Sequence, residues 1–124
     1  MMTRMTLSRV AALAVAVVVA AGAWWWFYGG AESAPFDKAP SVDGSVVRLT
    51  YTGSECETRA WVDVEESAAR VVLTVRTVEH SLSCSDVGVV RTLEATLDEP
   101  LGERELVDGA CLNEPWASRP ACAS

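Results

Sequence analysis

TRAWVDVEESAARVVLTVRTVE, residues 58–79, alternates like a pleated strand on both sides of a small-residue break. In its first half Ala60, Val62 and Val64 fall on one face, with Arg59, Trp61, Asp63 and Glu65 on the other. A period of two marks a half-buried strand, because successive side chains point to opposite sides. In the second half Val71, Leu73 and Val75 alternate with Val72, Thr74 and Arg76. Glu66, Ser67, Ala68 and Ala69 connect the halves, so the stretch reads as an antiparallel hairpin with Trp61 across its outer pleat.

The same grammar extends in both directions. Residues 46–52, VVRLTYT, alternate Val47, Leu49 and Tyr51 with Val46, Arg48 and Thr50 and stop at Gly53-Ser54. Residues 87–97, VGVVRTLEATL, set Val89, Arg91, Leu93, Ala95 and Leu97 against Val90, Thr92, Glu94 and Thr96, and the first set is the expected core face. Asp98, Glu99, Pro100, Leu101 and Gly102 turn the chain, and residues 104–107 suit a short edge strand before Asp108-Gly109. Helical periodicity is not sustained in this part, so the expected fold is all-β, a small antiparallel sandwich or partly open barrel.

A hairpin centred near Ala68 brings Cys56 and Cys84 to the same open end. A disulfide between them would close a loop whose chain-entropy value is about 3 to 4 kcal/mol. Cys111 and Cys122 bracket a Pro-containing segment, LNEPWASRPA, and pair most simply with each other. Four cysteines permit three connectivities, of which this is the one the hairpin favours.

Both pairings require an oxidising compartment. Residues 10–28, VAALAVAVVVAAGAWWWFY, contain no charge and would span about 28 Å as a helix. A bilayer core is about 30 Å thick, so this run reads as a transmembrane signal anchor. Arg4 and Arg9 precede it, whereas Glu32 and Asp37 follow with Lys38. The positive-inside bias then leaves residues 1–9 in the cytoplasm and the remainder outside. The alternative is a secretory signal cleaved at Ala21-Gly22-Ala23, which would expose Trp24, Trp25, Trp26, Phe27 and Tyr28 as a new N-terminus. Uncleaved, those rings suit the membrane interface.

Residues 29–44, GGAESAPFDKAPSVDG, are rich in Gly, Ala, Ser and Pro and read as a flexible linker. The expected organisation is therefore an anchor at 10–28, a linker at 29–44, a disulfide-stapled β domain at 45–109 and a cysteine-bracketed tail at 110–124. The 124 residues allow one small domain, and its need for cross-links follows from its size. The hydrophobic content of 50% is inflated by the anchor. Formal charge is -7, and without Arg4 and Arg9 the exported part carries -9. Such a surface argues against nucleic acid and against anionic headgroups. Arginine far outnumbers lysine, and isoleucine and glutamine are absent, a bias suited to a GC-rich actinobacterial genome.

Chemistry-bearing motifs are sparse. No C-x2-C pair accompanies the single histidine, His80, so zinc is not expected. His80 stands four residues before Cys84, about 13 Å on an extended chain, and reads as a strand-end surface residue rather than the base for a thiol. Asp63, Glu65, Glu66, Asp98, Glu99 and Asp108 could supply paired carboxylates, although their spacings define no site. Asp98, Glu99, Glu103 and Asp108 offer the least weak arrangement for calcium, without an EF-hand pattern. Phosphate-binding, nucleophile-elbow and dinucleotide motifs are absent, and no cofactor is expected.

Residues 91–109, RTLEATLDEPLGERELVDG, resemble a segment of small secreted or membrane-anchored actinobacterial proteins, in which a strand enters a Pro-Leu-Gly turn followed by an Arg and a Val-Asp-Gly end. The resemblance reaches back through Cys84 and Cys56 to Val46, with the tail after Ala110 additional. It implies a domain and a compartment but no activity or functional residues. In the turn, Leu101 and Leu106 would pack beneath Pro100 and Gly102, and Arg104 would bridge to Asp98 or Asp108.

Together these features suggest a membrane-anchored, non-enzymatic interaction or structural module with an envelope protein partner. Trp61, Arg104 and Trp116 are the candidate contact residues, since Trp and Arg often dominate interface energy. The alternatives are an extracytoplasmic enzyme, favoured if a pocket encloses two of the clustered carboxylates, and a metal- or ligand-sensing module.

Overall fold

The computed structural model describes residues 4–80, 84–85 and 87–123. Two compact units divide the chain, Met1–Gly30 and Ala31–Ser124. Residues 1–3 of the expected cytoplasmic segment and residue 124 of the expected tail lie outside the described residues.

The first unit is one helix, α1 (Arg4–Tyr28), which begins well before the uncharged run. Within it Thr6–Phe27, 22 residues of mean hydropathy 2.1, is long and apolar enough to cross a membrane. Its rise of about 33 Å matches a hydrocarbon core of about 30 Å. Its residues are exposed, Trp24, Trp25, Trp26 and Phe27 among them. The helix ends as Gly29 N–H donates to Trp25 O at 2.7 Å and Gly30 adopts φ 74°, the left-handed conformation that glycine supplies at helix ends.

The second unit contains β1 (Glu32–Ala34), β2 (Ser41–Asp43), β3 (Val46–Ser54), β4 (Glu57–Glu66), β5 (Arg70–Glu79), β6 (Gly88–Thr96) and β7 (Glu105–Asp108). They form a sandwich-like pair of sheets rather than a closed barrel. In one sheet β5 is central, with β4 antiparallel on one edge and β1 and β7 sharing the other. In the other sheet β3 lies between β2 and β6, both antiparallel.

The expected hairpin is present: Glu66 faces Val71 and Glu57 faces Glu79, with one irregularity between Glu57 and Arg59. Its apolar alternation produces the core. Val47, Leu49 and Tyr51 from β3 meet Val71, Leu73 and Val75 from β5, with Ala95 and Leu97, and Ala60, Val62, Val64 and Leu93 pack around them. The opposite face of β5 is also covered, since Val72 and Val78 are buried. Gly109 lies against that face, where an added Cβ would meet Thr74 Oγ1 and Val72 Cγ1.

One expectation is corrected. Residues 29–44 do not form a flexible linker, because β1 and β2 belong to the sheets and Phe36 packs on the core. The cause is backbone pairing: β7 covers Arg70 to Leu73 of β5, leaving Val75 to Thr77 to pair with β1. β2 is joined to β3 through Gly44-Ser45, with Gly44 at φ 61°, as tight hairpin loops require. The short edge strand expected after the Pro-Leu-Gly turn is present as β7 and runs parallel to β5. The cysteine-bracketed segment after Ala110 folds onto the same unit. Its 3-10 turn, Gly109–Leu112, is capped by Asp108, and Trp116 Nε1 donates to Ser33 O at 2.7 Å.

Candidate functional site

Both disulfides pair as expected, Cys56 with Cys84 at the open end of the hairpin and Cys111 with Cys122 across the Pro-containing segment. The first lies at the end of the sandwich where β3 crosses into β4. There the inward alternation of β3 delivers Tyr51 and that of β6 delivers Arg91, while Glu57 enters from the first position of β4.

Glu57 has a side chain only 5% exposed. Its carboxylate accepts the Tyr51 hydroxyl at 2.8 Å and the Ser54 N–H at 3.1 Å. Arg91 Nε lies 3.5 Å away as an ion pair, and Arg91 Nη2 donates to Ser54 O at 3.2 Å. Arg91 Nε itself is buried without a hydrogen-bond partner. Burial, followed by the hydrogen bond to Glu57 and that residue's charge, pushes the Tyr51 hydroxyl above its ordinary pKa and keeps it a donor. Gly53 leaves room for the group, since a Cβ there would meet the Glu57 carboxylate. With its oxygens engaged by Tyr51, Ser54 N–H and Arg91, Glu57 ties the ends of β3, β4 and β6 together.

The exterior of this cluster opens into a 440 Å³ recess lined by Glu57, Glu32, Glu79, Thr77, Cys84 and Trp116 among others. The sequence reading missed Glu57 and Arg91 as partners. The available signal was the inward phase of Arg91 in β6, which places a guanidinium in a core row that must be neutralised.

Arg104 is not the exposed contact residue expected. Its side chain is 14% exposed and bridges to Glu66 at 3.2 Å, rather than to Asp98 or Asp108. Arg104 Nη2 donates to the carbonyls of Glu99 and Pro100, Nη1 to Ser67 O and Nε to Leu101 O. Glu66 also accepts the Asp98 N–H at 2.8 Å. That backbone bond, ahead of the pairing with Arg104, holds Glu66 below its ordinary pKa. The guanidinium thus fastens the turn after β6 to the turn of the β4–β5 hairpin. Gly102 supplies φ 58°, and Leu101 and Leu106 pack on the core as the motif suggests.

The four carboxylates considered for calcium are dispersed. Asp98 and Glu99 share a recess with Glu66 and Arg104, whereas Asp108 accepts Phe36 N–H at 2.8 Å and Ala110 N–H at 3.0 Å. Burial raises the Asp108 pKa above its ordinary value, against the lowering effect of those two bonds. Among the described residues no group of three or more His, Cys, Asp and Glu is placed to hold a metal ion.

Trp61 and Trp116 occupy different settings. Trp61 lies on the outer face of β4, with Arg59 5.0 Å from its ring centroid and its Nε1 donating to Asp63 at 3.0 Å. Asp63 in turn pairs with Arg76 at 3.2 Å. Trp116 anchors the C-terminal loop on β1, with Arg119 5.3 Å from its ring centroid.

No family, curated protein or solved structure matches the chain.

Proposed function

We propose that this is a single-pass membrane protein whose β unit is extracytoplasmic and serves as a non-catalytic interaction or structural module. One conjunction carries the reading: Thr6–Phe27 is long and apolar enough to cross a membrane and is exposed throughout, and the unit after it closes two disulfides. An uncovered apolar helix needs a lipid or protein environment, and disulfides persist in oxidising compartments. The aromatic residues at the end of the helix suit an uncleaved anchor, and an envelope protein remains the proposed partner.

The non-catalytic reading is supported by the engagement of Asp63 with Arg76, of Glu66 with Arg104 and of Asp108 with two backbone N–H groups. Asp98 and Glu99 do share a recess, which was the feature that would favour an enzyme, but Arg104 donates to the adjoining carbonyls and binds Glu66 there. That arrangement serves turn fixation.

Alkaline carbonate extraction of membranes, combined with thiol labelling before and after reduction, tests the proposal. The expected result is a carbonate-resistant chain that takes up label at cysteine only after reduction. A soluble chain beginning at Trp24 would replace the anchored protein with a secreted one. Cysteines that label freely in intact cells would overturn the compartment.

A further inference from the structure

Beside β1 the outer face of the β5 sheet opens into a 470 Å³ recess lined by Ala31, Glu32, Ser33, Arg76, Trp116 and Arg119, among others. Two guanidinium groups and one carboxylate therefore line it, a concentration of cationic side chains in a chain of formal charge -7. Arg119 lies over Trp116, while Trp61, with Arg59 over its ring, faces Arg76 across the β4–β5 pair. Arg76 also pairs with Asp63, but both side chains remain substantially exposed, at 39% and 53%.

The recess also has a distinctive place along the chain. Ala31 follows Tyr28, the last residue of α1, by three positions, and extended backbone covers at most about 11 Å in that interval. If α1 spans the bilayer, as proposed above, this covalent limit keeps the first lining residue near the headgroup region. Tryptophan and arginine both suit that region, one as an amphipathic ring and the other as an extended cation. Net charge does not decide the contact, because screening over about 8 Å at physiological salt gives the nearest groups the greatest weight.

We propose that this recess docks the phosphate of a phospholipid headgroup between Arg76 and Arg119, with Trp116 as its aromatic wall. Guanidinium groups match phosphate oxygens through paired N–H donors. An acidic peptide could use the same arginines, but the short covalent distance to the proposed span favours lipid.

Hydrogen exchange of the full chain in nanodiscs tests this inference. Discs of phosphatidylglycerol are compared with discs of digalactosyldiacylglycerol, which lacks phosphate. The amides of residues 31–33 and 113–119 should exchange more slowly in phospholipid, by about fivefold for each engaged arginine. Arg76→Gln with Arg119→Gln should abolish that difference while the core amides of β3 and β5 keep their protection. Equal exchange in the two lipids, or a difference that survives the double substitution, overturns the proposal. Restoration of protection by inorganic phosphate in galactolipid discs would assign a free-anion site and overturn the lipid assignment. Protection by a deca-glutamate peptide in those discs, without protection by phospholipid, would assign an acidic protein partner instead. Protection of α1 in both discs reports the span separately, so a failed headgroup site is distinguishable from a failed anchor.

Discussion

Replacing Glu57 by glutamine keeps the shape of a side chain that is 5% exposed and removes the charge facing Arg91. The new amide must also present a donor to Tyr51 Oη or to Ser54 N–H, both of which donate to the native carboxylate. Breaking a fully buried ion pair from one side costs about 3 to 5 kcal/mol. Arg91 is 38% exposed, so water recovers part of its orphaned charge and about 2 to 3 kcal/mol is expected. For a domain of this size that corresponds to a fall in Tm of about 10 to 20 °C. Thermal unfolding of the full chain in non-ionic detergent, followed by the far-UV signal of the sheets, measures it. A double-mutant cycle with Arg91→Met should return a coupling of about 1 to 2 kcal/mol. A fall in Tm below about 4 °C, or an additive cycle within about 0.5 kcal/mol, would refute the account of a charge-paired end to the sandwich.

Three further outcomes follow from the geometry. Glu66 has a lowered folded pKa, so its stabilisation is present above the ordinary value of 4.5 and lost as pH falls through the folded value; Glu66→Gln should flatten that acid limb in pH-dependent unfolding. Tyr51 has a raised folded pKa, so its contribution is present below its ordinary value of 10.0 and lost as pH rises through the folded one; Tyr51→Phe should weaken the domain at neutral pH and remove its alkaline loss. Gly109→Ala should destabilise by about 1 to 3 kcal/mol in denaturant unfolding, because its Cβ enters the space of Thr74, and pairing it with Thr74→Ser should recover little since Oγ1 remains.

The long strands were legible because each carries its own period over many residues. Residues 58–65 and 70–79 correspond to β4 (Glu57–Glu66) and β5 (Arg70–Glu79), and the inward row of Val89, Arg91, Leu93 and Ala95 is the observed one. The Cys56–Cys84 disulfide followed from that hairpin, since strand pairing fixes which cysteines share an end. Side-chain partnerships across long sequence separations were not legible. Arg104 stands 38 residues from Glu66, and neither periodicity nor proximity along the chain distinguishes Glu66 from the nearer Asp98 and Asp108. Glu57 falls just outside the strand read at 58–65, and only the crossing of β3 into β4 brings its carboxylate to Tyr51.

The misreading of residues 29–44 has a different cause, because that segment and residues 110–124 are each ordered by the other. A strand of three residues carries no measurable period and is too short to persist by itself. β1 acquires its partner from the part of β5 that β7 leaves uncovered, and Trp116 then holds the Ser33 carbonyl. Asp108, at the end of β7, receives Phe36 N–H from one segment and caps the 3-10 turn of the other. Lys38 Nζ donates to Ala123 O, adding another contact between them. Asp43-Gly44 was the one local turn signal available, and it identifies β2 alone. A local scan must therefore read these segments as linker and tail. Their order arises only when the β5 edge, Asp108 and the disulfide loop bring their separate pairing requirements to one place.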